Sequence, residues 1–170
     1  MRLEFASMAR QDLADVDRIQ RDAYAEDFVE AVTVFADKLQ RYPEGCWMGV
    51  VDGISVGYMF SHPARLTSPP GLNKMLEDGD GKANHDCYFI HDVAVLRSHR
   101  GMGVARGLVA EAFRIAATSG HAVVALVSVQ GSGGYWRQRG FKPFQESQEA
   151  VDYVKQSYGD AACYMVQRIA

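Results

Sequence analysis

An α/β sandwich around a mixed, mainly antiparallel sheet is the fold class this sequence predicts, and three observations carry it. Helical and strand periodicities alternate from one end of the chain to the other. Two β-rich runs, Cys46 to Val51 and Ile54 to Ser61, are joined by Asp52-Gly53, a two-residue signal for a tight antiparallel hairpin. Between Cys87 and Val129 a strand, a long amphipathic helix and a second apolar strand follow one another, the order of a strand-helix-strand crossover.

Leu3, Phe5 and Ser7 alternate with polar neighbours as a first strand. Leu13, Val16, Ile19, Gln20 and Ala23 then fall at helical spacing behind Asp12, a candidate N-cap. Phe28 to Arg41 repeats the pattern through Val32, Phe35 and Leu39, and Pro43 closes it. After the hairpin, His62 to Asp86 turns to Pro, Gly, Asn and Asp, with a helical turn expected only at Leu72 to Leu76. A connection this long suggests a covering role. Cys87 to Leu96 is the next strand, the helix after Gly103 runs to about Thr118, and Gly120 stops it. Ala122 to Val129 is a fully apolar strand, followed by a short helix at Tyr135 to Arg139 and weaker β signals at Phe141 to Phe144 and Cys163 to Ile169.

With 170 residues and 48% hydrophobic content, the chain is expected to form one domain, spanning 1–170, with a single core. Eighteen Lys and Arg against 21 Asp and Glu leave a net charge of -3, which argues against broad contacts with nucleic acid. The strongest apolar run, Ala122 to Val129, is far short of the roughly 20 residues a membrane helix needs, and Arg2, Glu4 and Arg10 interrupt any leader-like stretch. A cytoplasmic protein with no membrane contact is expected. Cys46, Cys87 and Cys163 are scattered and odd in number, and no histidine has metal-site spacing, so reduced thiols and no metal are expected.

The densest chemical signal is Arg97-Ser98-His99-Arg100-Gly101-Met102-Gly103-Val104-Ala105, between an apolar strand and a helix. Free backbone N–H groups and the positive helix end converge there, and Gly101 and Gly103 would let an anion approach the main chain beside Arg100. A dinucleotide motif is disfavoured because Arg106 occupies its third small position, and no Walker lysine is present.

Arg100, Gly103 and Ala105 stand on the defining positions of the Q/R-x-x-G-x-G/A signature, and the chain resembles the GNAT acyltransferase superfamily there. The apolar strand from Phe89 to Val95 ahead of it, and Tyr135-Trp136-Arg137-Gln138-Arg139-Gly140-Phe141 behind it, extend the resemblance, as does the order of elements. The resemblance implies two central parallel strands that splay apart and an acetyl-CoA (coenzyme A) site. Its pyrophosphate would lie on the amides of Arg100, Gly101, Met102, Gly103, Val104 and Ala105, its pantetheine arm along Val93, Ala94 and Val95, and its thiol beside Trp136. It also implies transfer of an acetyl group to a primary amine of a small molecule or peptide, and it admits a homodimer, since many proteins of this fold pair through sheet edges.

Direct transfer to an amine needs a group to take the ammonium proton and one to protonate or solvate the departing thiolate. Many relatives carry a tyrosine four residues before the Gly-Phe pair as acid, where this chain has Trp136, and an indole cannot do that work. Tyr135, one position away and rotated by about 100° on a helix, is one candidate, and Tyr158 before the last strand is another. Asp92 and His91 interrupt an apolar strand and are candidate bases, Asp92 first. Strict alternation would put only one of them on a given face. Ser128 lies near the place where some relatives carry a glutamate base. Glu26, Asp27, Glu77, Asp78 and Asp80 could attract a cationic amine or be ordinary surface charge. Because the motif tyrosine is missing, a non-catalytic acyl-CoA-binding module stays open as the alternative, and a phosphate-binding regulatory domain as a third reading.

Overall fold

A computed structural model of the chain describes residues 1–77 and 84–169, so Asp78 and Asp80 lie outside the described residues. The strands are β1 (Leu3–Ser7), β2 (Cys46–Val51), β3 (Ile54–Ala64), β4 (Cys87–Val95), β5 (Val123–Ser128), β6 (Lys142–Pro143) and β7 (Cys163–Arg168). The helices are α1 (Leu13–Ala23), α2 (Val32–Arg41), α3 (Val104–Thr118), α4 (Gly133–Gln138) and α5 (Gln148–Tyr158). The strands form one sheet in the order β1-β2-β3-β4-β5-β7-β6. Every neighbouring pair is antiparallel except β4 and β5, which are parallel.

The hairpin forms as its dipeptide predicts: Asp52 and Gly53 both take positive φ, 50° and 82°, which a two-residue turn matched to the strand twist requires. The α1 stripe of Leu13, Val16, Ile19, Gln20 and Ala23 is buried, and α1 and α2 cover one face of the sheet with Phe35, Leu39, Tyr58 and Phe60 between them. On the other face α3 packs Val104, Leu108, Ala112 and Ile115 onto Val56, Met59, Ile90 and Leu126. Gly49 and Gly57 pair across β2 and β3, and a Cβ on either would come within 2.6 or 2.8 Å of Val104 Cγ1. Those two glycines therefore seat the first turn of α3 against the sheet.

Several expectations are corrected. Asp12 does stand at the N-cap position of α1, but its carboxylate makes no cap bond to the helix; it accepts the Ala9 amide at 2.7 Å, closing a 3-10 turn ahead of it. The second helix begins at Val32 rather than Phe28, with a separate 3-10 turn at Glu26–Phe28. Leu72 to Leu76 forms a turn and irregular chain, not a helical turn. The sequence reading missed α5, whose buried Ala150, Val154 and Tyr158 pack on Cys87, Phe89 and Ala125. Its N-cap is Ser147, whose hydroxyl accepts the Ala150 amide at 3.2 Å.

The parallel pair does splay: β4 and β5 are bonded only over Tyr88 to Ile90 and Val124 to Leu126, although both strands run on. The separation begins at a β-bulge. Ile90 pairs with Ser61 and Asp92 with Phe60, so His91 is an extra residue without an opposite number on β3. The expectation that His91 and Asp92 face opposite ways is overturned, because the extra residue advances the alternation by one. Phe89, His91, Asp92 and Ala94 all lie on the face of α1, α2 and α5, while Tyr88, Ile90 and Val95 pack toward α3.

Candidate functional site

A cavity of about 720 Å³ occupies the crevice between β4 and β5. At one end lies the turn from β4 into α3. Gly101 and Gly103 have φ of 79° and 88°, and an added Cβ would find no atom within 4 Å at Gly101 and only Leu3 Cδ2, at 3.9 Å, at Gly103. The first α3 amide with a carbonyl partner is that of Gly107, bonded to Gly103 at 3.0 Å. The amides of Gly103 to Arg106 have no acceptor among the described residues, as at any helix start without a side-chain cap. Arg100, Gly101, Gly103, Val104, Ala105 and Arg106 line this end. Met102, also expected at the cofactor, has its side chain exposed and off the cavity wall. Asp22 holds the turn in place by accepting the Arg97 amide at 2.8 Å, and Arg100 reaches the Ala23 carbonyl at 3.4 Å.

Val93, Ala94 and Val95 run along the cavity beyond the last β4-β5 bond, so their main chain faces the crevice rather than a neighbouring strand on that side. Trp136 and Tyr135 both line the cavity from α4, edge to face with ring centroids 4.9 Å apart. The Arg139 guanidinium sits 3.5 Å over the Tyr135 ring. The short helix is α4, at Gly133–Gln138, starting two residues and ending one residue earlier than expected. Ser128 is buried and off the wall, which Leu126, Val127 and Val129 provide instead.

Across the crevice from α4, Asp92 is buried and receives two phenols: Tyr24 Oη lies 2.7 Å from Oδ1 and Tyr58 Oη 2.7 Å from Oδ2. Tyr24 Oη is also 2.8 Å from the Val93 carbonyl. Burial, with the charge of Glu30 behind it, raises the Asp92 carboxyl to about 7, while the two phenolic hydrogen bonds and Lys38 pull the other way. Burial and the Asp92 charge in turn hold both phenols well above their ordinary value, so they stay protonated.

Sequence reasoning passed over the groups behind this carboxyl. Glu30 and Lys38 are buried at 3% and 1% exposure. Glu30 lies 3.3 Å from His91 Nε2 and accepts the Asn73 amide at 2.9 Å. Burial opposes the Glu30 charge, but His91, Lys38 and the Asn73 amide outweigh it and keep the carboxyl below its usual range. Burial, and Lys38 after it, lower His91, and burial also lowers Lys38 against the pull of Glu30 and Asp92. The His91 side chain is thus fully buried beside the Glu30 carboxylate, which pulls against the lowering. Gln20 fixes the Glu30 main chain from both sides, donating to its carbonyl at 2.8 Å and accepting its amide at 2.9 Å. The one available signal was Gln20 itself, a polar residue on the buried stripe of α1.

Tyr158 ends α5 rather than standing in a loop; it lines the cavity and donates to the Pro70 carbonyl at 2.9 Å. Glu26 and Asp27 are exposed, and Glu77 lines a separate cavity. Among the described residues no group of three or more metal-ligating side chains comes together, and no helix is long and apolar enough to cross a membrane.

A turn with two glycines at positive φ and unpaired amides thus opens onto a splayed parallel pair in the middle of the sheet. Residues 13–141 match the family model described as acetyltransferase (GNAT) family, and the chain belongs to that family. No curated protein matches the sequence. Among solved structures, Ard1 from Thermoplasma volcanium is similar at 17% identity and a TM-score of 0.74, with 100% of this chain and 99% of that one covered. A chain of the NatC complex bound to Gag peptide and CoA gives 17%, 0.69, and 100% of both chains. The GphF GNAT-like decarboxylase in complex with isobutyryl-CoA gives 13%, 0.70, and 99% of both. At these identities the likeness establishes the fold, and the fold alone serves more than one reaction.

Proposed function

We propose that the protein is an acetyl-CoA-dependent N-acetyltransferase acting on a primary amine. The observation that carries this reading is that one cavity holds both the unpaired amide cradle and, across the splayed strands, the buried Asp92 carboxyl. Coenzyme A fits the residues present: free amides and Arg100 for its pyrophosphate, and an open strand edge at Val93 to Val95 for the amides of its arm. Its acetylated form, acetyl-CoA, would supply the activated acetyl thioester. A main-chain N–H near Val95 is placed to stabilise charge developing on a carbonyl oxygen in the crevice.

Asp92 is the general base in this reading. With its carboxyl raised to about 7 it is substantially ionised at neutral pH yet basic enough to draw a proton from an ammonium. Tyr24, on the cavity wall and bonded to Asp92, can pass that proton inward. His91 is assigned a supporting role, since its Nε2 is committed to Glu30 and its side chain is not exposed. Tyr135 is the phenol on the motif side and the candidate acid for the thiolate, whereas the Tyr158 hydroxyl is engaged by Pro70. The three cysteines are unpaired, which suits the reducing cytoplasm where we place the enzyme. Calorimetric titration with acetyl-CoA, CoA and ATP, followed by a thiol-release assay over a panel of amines, tests the proposal. Tight acetyl-CoA binding with amine-dependent release is expected. Binding without release would favour the acyl-CoA-binding module, and equal binding of ATP would overturn the cofactor assignment.

A further inference from the structure

The connection between β3 and β4 carries residues 66–77 across the face of the sheet that bears Asp92. On the α2 side, Asn73 Oδ1 accepts the Ala31 amide at 2.8 Å, the Asn73 amide donates to Glu30 at 2.9 Å, and the Leu76 amide donates to Asp37 at 3.2 Å. On the α5 side, the Leu72 amide donates to Ser157 Oγ at 2.8 Å and Tyr158 Oη to the Pro70 carbonyl at 2.9 Å. Tyr164 Oη adds a bond to the Leu66 carbonyl at 2.8 Å. The segment is therefore a strap fastened along both flanks, and it spans the gap between α2 and α5.

This strap is also a partition. Leu72 lines the crevice cavity, whereas Pro69, Pro70, Gly71 and Lys74 line a second cavity on its other side. At the end of the crevice cavity away from Arg100 and Gly103, the wall is made by Phe28, Glu30, Leu72 and Tyr158. An amine reaching the acyl group beside Asp92 would have the rest of its molecule at that end. A peptide acceptor lying along this end would meet the strap with its second and third residues, about 3.3 Å of chain each.

We infer that the strap restricts the acceptor to a small free amine and excludes a polypeptide N-terminus. The inference rests on the acyl-transfer reading of the site and adds to it the class of substrate. It gives the long connection a job: Leu72 and the Glu30–Asn73 bond set the depth available behind the reacting nitrogen.

Two conjugates separate the possibilities without requiring turnover: CoA joined through an acetyl group to propylamine, and CoA joined in the same way to the N-terminus of a tetrapeptide. Calorimetry on the full chain is expected to show the propylamine conjugate binding about tenfold or more tighter than CoA, and the tetrapeptide conjugate no tighter than CoA. In the double variant Asn73→Gly with Ser157→Ala, which unfastens one tie on each flank, the tetrapeptide conjugate is expected to gain about tenfold with CoA affinity unchanged. A tetrapeptide conjugate that binds the unaltered protein as tightly as the propylamine conjugate overturns the inference, and so does a propylamine conjugate with no gain over CoA. If CoA alone fails to bind, the acyl-transfer reading itself falls, and the CoA titration shows this separately. Should the double variant not fold, the comparison on the unaltered protein still decides.

Discussion

The two ends of the crevice are built from different materials. At the α3 end the working groups belong to the main chain, and side chains matter mostly by their absence, at Gly101 and Gly103. At the Asp92 end the working groups are buried side chains from α1, β3, β4 and the segment before α2, each holding another. Main-chain binding is preorganised by the fold and tolerates changes of side chain. A buried carboxyl with a shifted pKa depends on every neighbour that shifts it.

The largest effect that would sharpen this contrast is expected from Asp92→Asn. Amine-dependent thiol release should fall by about a hundredfold or more while acetyl-CoA affinity stays within about twofold. A variant that keeps full activity would remove Asp92 as base. The same substitution should stabilise the protein in alkaline solution. A carboxyl raised to about 7 when folded, against about 3.9 unfolded, favours the folded state most below pH 4, and that advantage is lost as pH rises through 7. Thermal melts at pH 8 should therefore show Asp92→Asn above the parent by on the order of a few kcal/mol, with the gap closing toward pH 5.

Gly103→Val comes next and acts on the opposite end. It forces a β-branched residue to a φ of 88° and puts a side chain over the cradle, so CoA affinity should drop by about tenfold or more in a titration. Unchanged affinity would count against the cradle. Tyr24→Phe should be smaller and different in kind. The lost hydrogen bond was lowering the Asp92 pKa, so the acidic limb of the kcat/KM profile should move to higher pH, with a rate loss of about tenfold or less. A shift to lower pH would break the argument. Met102→Ala should change CoA affinity by less than about twofold, because that side chain is exposed and off the cavity wall.

The same contrast explains what could be read from the sequence. The cradle end was legible because glycine spacing and a strand-to-helix turn are local facts, written in consecutive residues from Arg97 to Ala105. The hairpin at Asp52-Gly53 and the crossover around α3 were legible for the same reason. The Asp92 end was only half legible. Asp92 and His91 stood out as polar residues in an apolar strand, but Glu30, Lys38, Tyr58 and His62 reach them through tertiary packing that no spacing announces. The bulge at His91 was hidden because its consequence, two successive residues on one face, contradicts the alternation used to read a strand. The missed α5 hid behind a polar composition in which Ala150, Val154 and Tyr158 make a narrow buried stripe.

The bulge also means that the length of β4 matters as much as its composition. With His91 deleted, Ile90, Asp92, Val93 and Ala94 would alternate regularly, and the β3 pairing would pass through without interruption. A strand without the local bend could continue its bonds to β5 past Leu126, zipping shut the gap that now opens there. The deleted chain would have a narrower crevice between β4 and β5. A scan that only exchanges residues would never visit that molecule. The width of the crevice is set by a register, with β4 running one residue out of step with β3.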